Sequence, residues 1–382
     1  MERVKLKDIC RLINGRAYKQ EELLDSGKYP VLRVGNFFSD KDFYYSDLEL
    51  EEDKYCDNGD LLFAWSASFG PKIWDGEKVI YHYHIWKMEL TDRVNKEFLF
   101  YHLFHLSERI KSEGHGGIMI HTTKAEMEER EFNLPTLEEQ IAISEILNKV
   151  KSVIDKRKEE LSALDNLIKA RFVEMFGDPQ INPFGWAVVN ISEVVGEKVS
   201  NGFFAKRDDY VDDGNVSILG VANIVNRMYS KVDELPKTDA DDKDIEKFEV
   251  RYGDMLFCRS SLVAEGIGKA SIIPENVQDK VLFECHVIRL PLDLNKCVPE
   301  FMQTLSTTDF FRNQVIAQSK TATMTTIGQD GILKTDIILP PVDKQREFYD
   351  FVKQVDKSKV AVQKALDETQ LLFDSLMQQY FG

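Results

Sequence analysis

Leu134-Pro135-Thr136-Leu137-Glu138-Glu139-Gln140 returns 205 residues later as Leu339-Pro340-Pro341-Val342-Asp343-Lys344-Gln345. The register holds without a gap to Phe176-Gly177 and Phe381-Gly382, which close the two segments. Between entry and exit each copy carries apolar residues at alternating spacings of three and four. The first seam runs Ile143, Leu147, Val150, Ile154, Arg157, Leu161, Leu164, Ile168, Phe172, Met175, and the second Phe348, Val352, Val355, Lys359, Val362, Leu366, Thr369, Phe373, Met377, Tyr380. So narrow a stripe is the signature of a coiled-coil seam, not of a helix lying on a broad core. A proline-containing break precedes each segment and a glycine follows it, the start and stop signals of a helix. Roughly 40 residues at ~1.5 Å rise make a rod of ~60 Å. One rod cannot bury its seam alone, so the two are expected to pair with each other, antiparallel. Each seam holds one base, Arg157 or Lys359. These side chains either snorkel at the seam's edge or fix register against carboxylates on the partner helix.

Upstream of each rod the chain repeats as well. Asn14-Gly15 matches Asn201-Gly202, Lys19 matches Lys206, and Val31–Asn36 matches Ile218–Asn223, all at offset 187. Gly59-Asp60-Leu61-Leu62-Phe63 matches Gly253-Asp254-Met255-Leu256-Phe257 at offset 194, and His84-Ile85 matches His286-Val287 at offset 202. The offset only grows, so the second half is the first with loop insertions. The organisation is a globule (1–136), a long spacer helix (137–178), a second globule (179–338) and a second helix (339–382), a pseudo-two-fold arrangement with two similar, non-identical surfaces. Short β-branched and aromatic runs at 30–34, 61–63, 79–86, 216–221, 255–258 and 287–290 predict strands, and 95–106 and 299–307 predict helices. The fold class is α+β: two tandem, similar α/β domains on paired helices.

The composition fits a soluble globular protein, with 43% hydrophobic and 30% charged residues. No apolar run approaches the ~18–20 residues of a membrane span, and the N-terminus has no apolar signal core. Five cysteines without a C-x-x-C pair fit reduced thiols and a cytoplasmic location. A formal charge of −16 argues, taken alone, against a nucleic-acid partner. It does not forbid a local basic surface, because screening confines a field to ~8–10 Å.

Motifs of catalysis are missing. The sequence has no G-x-x-x-x-G-K-[ST] loop and no G-x-G-x-x-G after a strand. Glu265-Gly266-Ile267-Gly268-Lys269 has the wrong spacing, and Asn182-Pro183-Phe184 lacks the second proline of an adenine-methylating loop, so it reads as linker. His82 and His84, two apart in a strand-like run, and His102 and His105, three apart on a helix, could together form a zinc site. Only His84 has a counterpart, His286, and no Cys or carboxylate completes the set; packed histidines and no metal are the expectation. No nucleophile-base-acid triad is visible.

Two variable globules, each followed by Leu-Pro-x-Leu/Val-acid-x-Gln and a long helix, resemble the specificity (S) subunit of type I restriction–modification systems. The resemblance spans the whole chain. It is carried also by the Tyr29–Phe37 segment, read as a strand, the Gly-Asp-x-Leu-Phe strands, and Phe176-Gly177-Asp178-Pro179. At the second helix entry Lys344-Gln345-Arg346 stands where the family usually has Glu-Gln. The resemblance implies a non-enzymatic scaffold. Each globule, a target recognition domain, reads half of a bipartite, asymmetric DNA site, and the helices set the gap and dock two methyltransferase (M) subunits. Restriction (R) subunits join through the M subunits. S-adenosylmethionine and ATP then belong to the M and R subunits, and this chain binds no cofactor itself.

Register on DNA is held by phosphate contacts, and sequence is read at base edges. Loops at equivalent places in both halves are therefore the candidates. The first pair offers Arg16 and Lys19, and Lys206 and Arg207, with Arg33, Asn36 and Asn223 on the repeated segment beyond. After the Gly-Asp strands come Trp65, Ser66, Ser68 and Lys72, and Arg259, Ser260, Ser261 and Lys269. Arg259 suits guanine, while Trp65 is a stacker or a packed aromatic. The third pair offers His115, Met119, His121, Thr122, Thr123 and Lys124, and Lys320, Thr321, Thr323, Thr325, Thr326 and Gln329. Hydroxyls suit groove contacts and Gln329 suits adenine, although any one of these also reads as a plain polar loop residue. Two rival readings are a self-contained DNA methyltransferase or nuclease, and a coiled-coil adaptor that binds no nucleic acid.

Overall fold

The computed structural model describes residues 2–39, 41–66, 69–113, 122–206 and 209–382. The chain forms two compact units, Met1–Lys158 with Lys364–Gly382, and Glu159–Gln363. Each unit is thus a globule together with one stretch of each long helix.

The two globules share a topology. The first builds a four-stranded antiparallel sheet in the order Cys10–Asn14, Ile85–Leu90, Leu61–Ala64, Gly70–Ile73. The second repeats it with Ser200–Asn201, Val287–Pro291, Asp254–Cys258 and Ala270–Ile272. A second sheet contains one parallel pair, Tyr29–Leu32 with Val79–Tyr81 in the first unit and Val216–Leu219 with Val281–Phe283 in the second. A third ladder joins the start of each globule to the residues before its long helix: Glu2–Lys5 with Glu131–Leu134, and Ala187–Asn190 with Asp336–Leu339. Among the described residues, the second unit also has a three-stranded sheet of Ser260–Ser261, Thr325–Thr326 and Lys320–Thr321.

The repeated sequence marks have local causes. In Asn-Gly, a Cβ on Gly15 would lie 2.3 Å from the Tyr81 carbonyl oxygen, and one on Gly202 2.2 Å from that of Glu284. Neither position can hold a side chain. In Gly-Asp, Gly59 and Gly253 turn at φ +89° and +96°, a region only glycine enters cheaply. The following aspartate closes the turn: Asp60 Oδ2 accepts from the Asp57 N–H at 2.8 Å, and Asp254 Oδ2 from the Arg251 N–H at 2.9 Å. A base on the neighbouring strand faces each, Lys87 at 2.7 Å and Arg289 at 3.8 Å.

The long helices span Leu137–Phe176 and Val342–Phe381. Pro340 and Pro341 hold the second start back to Val342, since proline has no N–H and restricts the residue before it. Every seam position predicted from the sequence is buried or half-buried. Within the first unit Arg157 donates to the Ala365 carbonyl and the Thr369 hydroxyl. Tyr101 meanwhile donates to Asn148 Oδ1 at 2.7 Å and packs its ring on Phe373. Within the second unit Lys359 Nζ meets Asp165 Oδ1 at 2.6 Å, and Phe172 and Phe176 pack on Phe348. In each unit, then, partners on one helix descend in number as those on the other rise, so the paired stretches run antiparallel. Of the two seam bases, Lys359 meets a carboxylate and Arg157 a carbonyl and a hydroxyl. The core of the second unit continues from Phe172, Phe176 and Phe348 onto Phe301 of the globule, all at most 1% exposed.

Two expected strands are each broken. Residues 29–37 form the strand Tyr29–Leu32 and then a helical turn, Val34–Phe37. The cause is Asn36, whose Oδ1 accepts from the Arg33 N–H at 2.7 Å. Asn223 does the same for the Gly220 N–H at 3.0 Å. Residues 79–86 are likewise split into Val79–Tyr81 and a strand starting at Ile85, because the Ile85 N–H reaches back to the His82 carbonyl. His82 and His84 consequently sit on a turn rather than alternating along one strand.

Candidate nucleic-acid interface

The turn at His82-Tyr83-His84 is where the candidate loops of the first unit gather. Arg16 bridges to His82 in the backbone, and the Trp65 N–H donates to the His84 carbonyl at 3.1 Å. The Trp65 carbonyl in turn accepts from the Thr122 N–H at 3.4 Å. The second unit repeats the pattern around Glu284-Cys285-His286. Phe203 bridges to Glu284, the Arg259 N–H donates to the His286 carbonyl at 2.8 Å, and the Arg259 carbonyl accepts from Ile327 at 3.0 Å. Three loops that are remote in sequence thus converge on one turn in each globule. Sequence reasoning did not identify this hub, although the His84–His286 match marked its position.

Around the first hub, Arg33, Tyr44, His82 and His84 line a cleft of ≈ 350 Å³ together with Asn36 and Lys41. Burial, then the His84 imidazole and the Arg33 guanidinium, push His82 down to about 4, and burial lowers His84 also. Both rings are therefore neutral near pH 7, able to donate from one nitrogen and accept at the other. Arg33 stacks over the Tyr44 ring at 5.4 Å. Lys72 and Asn36 border a neighbouring cleft of ≈ 710 Å³.

The candidate side chains divide by what already holds them. Arg16 makes a two-pronged ion pair with Glu22 at 2.7 and 2.9 Å. Asn36 is buried at its capping bond, and Ser66 is buried too. Trp65 donates its indole N–H to the Tyr83 carbonyl at 2.8 Å and stacks against Trp86, which makes it a packed aromatic. Thr122 is buried, Thr123 caps the helix Lys124–Glu128, and Lys124 donates to the Leu12 carbonyl at 2.8 Å. Lys72 lies near Asp75 and over the Trp74 ring. Lys19 and Lys206 have matched backbone turns, their N–H groups capped by Glu22 and Asp209, and both project exposed side chains.

In the second unit Arg259 is held by the Cys285 carbonyl at 3.1 Å, and Asn223 by its cap. Lys269 reaches Asn226 Oδ1 at 2.7 Å. Gln329 lies beside Val199 and Asn201 at the start of the helix Gln329–Leu333. The small sheet sorts its residues into two rows. Lys320, Thr326 and Ser260 are opposite one another in register, as are Thr321, Thr325 and Ser261. In the second row Thr325 is 2% exposed and shares a 3.1 Å hydrogen bond with the Thr321 hydroxyl. Lys320 and Thr326 of the first row are exposed, as is Thr323 at the loop between strands. The first row thus presents a cation and two hydroxyls together. Ser68, His115, Met119, His121 and Arg207 lie outside the described residues.

His102 and His105 take no part in this surface. His102 packs between Phe132 and Phe381, and burial pushes it down to about 4. Among the described residues no three His, Cys, Asp or Glu side chains are grouped to hold a metal ion. All five cysteines are unpaired. No helix of the described residues is long and apolar enough to cross a membrane.

Comparison with known proteins gives a consistent result. A family model described as the type I restriction modification DNA specificity domain matches residues 1–165 and 183–369, once per half. The chain is 20% identical over 411 aligned positions to the type I restriction enzyme EcoBI specificity subunit of Escherichia coli, covering 99% of this chain and 85% of that protein. It is 23% identical to the MjaVIII specificity subunit of Methanocaldococcus jannaschii, covering 95% and 89%. Among solved structures, the S subunit of a type I restriction–modification system from M. genitalium superposes with a TM-score of 0.55 at 12% identity, covering 100% of this chain and 96% of that one. A chain from a structure of type I complex assembly and conformational transition gives 0.52 at 17%, covering 100% and 97%. At these identities the structural matches establish the fold.

Proposed function

Because this chain belongs to the type I restriction modification DNA specificity family, matched in both halves, we propose that each of its units reads one half of a bipartite DNA site. The chain is the sequence-specificity subunit of such a system and is not itself an enzyme. It acts with other subunits and with DNA. The finer assignment is ours. Two methyltransferase subunits dock on the helices, restriction subunits join through them, and S-adenosylmethionine and ATP are bound by those partners. The helices set a fixed gap between half-sites.

The observation that carries this reading is the duplicated hub. In both units the same three loops meet at the same turn, while the residues they carry there differ: Trp65 against Arg259, and Thr122–Lys124 against Ile327–Gln329. Identical scaffolding with divergent tips is what two independent readers of different half-sites require, since base edges are distinguished by the side chains presented. Neither rival reading has support in the family match or in the relatives.

The test is a domain exchange in the complex with its methyltransferase partner. Replacing residues 1–136 by the equivalent globule of a relative is expected to change one half of the methylated site and leave the other. A change in both halves would overturn independent reading. Methyl transfer by this chain with no partner subunit would overturn the non-enzymatic assignment.

A further inference from the structure

In a chain of formal charge −16, one cleft has the opposite balance. It lies within the second unit, encloses ≈ 390 Å³, and its charged lining is Lys169, Arg227, Lys269 and Arg312 against a single acid, Asp165. Asp165 already meets Lys359 at 2.6 Å. Among the described residues none of the four bases has a carboxylate partner.

The bases come from separate elements. Lys169 projects from the first long helix and is exposed. Asn226 adopts a left-handed φ of 58°, a conformation asparagine tolerates better than most residues, and the exposed Arg227 follows it. The Asn226 side chain also holds Lys269 Nζ at 2.7 Å. Arg312 donates Nη2 to the Glu265 carbonyl at 3.1 Å, while its Nη1 is buried with no hydrogen-bond partner. A buried donor left unmade costs free energy, and four cations converging on one space repel one another. An anion in the cleft relieves that repulsion.

We infer that this cleft is a phosphate site, and that its occupant is a backbone phosphodiester of the bound DNA. This rests on the DNA-recognition reading above and adds to it a contact built from residues other than the loop tips, of which Lys269 alone was singled out from the sequence. Guanidinium groups suit phosphate oxygens as a planar fork and lysines suit them as point charges. The volume falls in the range of small-ligand sites, enough for a phosphate with its flanking sugars. Such a contact positions the protein without reading sequence. A free phosphate or nucleotide shares this chemistry, and the experiment separates the two sources.

The full-length chain, assembled with its methyltransferase partner, is titrated with DNA over a range of salt. Wild type is compared with Lys169→Gln, Arg227→Gln and the pair together, all at exposed positions where folding tolerates the change. Inorganic phosphate is titrated into the same proteins by calorimetry. The expected result for the double variant is a salt slope shallower by up to ~0.9, the share of the one phosphate no longer neutralised. The affinity should fall equally on target and unrelated DNA, with half-site preference intact. Saturable phosphate binding that the variant abolishes, with an unchanged DNA slope, would keep the phosphate site and overturn DNA as its occupant. An unchanged slope without phosphate binding would overturn the inference, while target preference by wild type would still uphold the functional reading. Absence of target preference in wild type would instead sink that reading.

Discussion

Gln140 and Gln345 hold the same hydrogen-bonded position in the two units, each locking a long helix to its own globule with three bonds. Gln140 Oε1 accepts from the Asn95 N–H at 2.8 Å, and its Nε2 donates to the Arg93 and Pro135 carbonyls at 3.1 and 2.9 Å. Gln345 Oε1 accepts from the Val298 N–H at 2.8 Å, and its Nε2 donates to the Lys296 and Pro340 carbonyls at 3.1 and 2.8 Å. Both side chains are fully buried. The glutamine of the repeated entry motif is therefore an internal fastener, and its amide saturates three backbone groups that would otherwise be stranded away from water. Gln345→Leu keeps the bulk and removes all three bonds. We expect a loss of about 3 kcal/mol, from burying unpaired backbone groups, read as a lower midpoint in urea. An unchanged midpoint would mean that the helix is held by apolar packing alone.

The stalk tests whether packing or ion pairs hold the helices. Phe172 is 1% exposed and packs on Phe176, Phe301 and Phe348. Phe172→Ala is expected to cost ~3–5 kcal/mol, as large-to-small changes in a filled core do. Lys359 and Asp165 form a close ion pair, yet their side chains are 26% and 54% exposed. Lys359→Ala should cost at most ~1 kcal/mol, because water screens such a pair. Equal losses in the two variants would show that the seam's charge matters as much as its apolar filling.

Glu300 supplies a pH signature. It is 1% exposed, and its carboxylate faces the Tyr229 hydroxyl at 3.2 Å and the Tyr252 hydroxyl at 3.4 Å, with Glu275 nearby as a further acid. Burial pushes it up from 4.5 to about 7. The folded state therefore binds this proton more tightly than the unfolded chain does. The stabilisation is complete below pH ~4.5 and is lost as pH rises through ~7. Asp254, raised to about 6 by burial, and Asp356, also raised by burial, act with the same sign. Glu300→Gln removes only its own share. The stability difference between wild type and variant should shift by a few kcal/mol, on the order of 1.4 per unit of pKa, between pH 4.5 and 8, in the variant's favour at the alkaline end. A difference that is flat with pH would show that Glu300 is ionised in the folded protein.

What was legible in the sequence was what repeats. The helices, their seams and the two globules followed from spacing, because an apolar residue every three or four positions has one good solution. The strand breaks at Asn36 and at His82–His84 were not legible, since a side-chain cap and a three-residue turn leave no periodic trace. The same limit applies to the surface. Arg16, Asn36 and Trp65 share the residue types of nucleic-acid readers, but the fold commits them to Glu22, to the Arg33 N–H and to the Tyr83 carbonyl. Lys169 and Arg227 went unnoticed because a lone base on a helix and another in a loop signal nothing until the chain brings them to one cleft.

The small sheet of the second unit sets an exposed and a buried threonine side by side within a single strand. Thr326 is exposed and sits in register with Lys320 and Ser260, whereas its neighbour Thr325 is buried and bonded to Thr321. Successive residues of a strand face opposite sides, so the two threonines are expected to do different work despite identical chemistry. Thr326→Ala should leave stability within ~0.5 kcal/mol, as exposed changes do. It should weaken preference at one base pair of one half-site by about fivefold, the scale of ~1 kcal/mol for one groove contact. Thr325→Ala should do the reverse, costing ~1 kcal/mol of stability for the broken buried hydrogen bond and leaving base preference alone. The measurement is methylation of a randomised target pool by the assembled complex, scored position by position, beside urea unfolding of each variant. If Thr325→Ala alters base preference and Thr326→Ala does not, the exposed row is not the reading face. If both alter the half-site read through residues 1–136, the two units do not read separately.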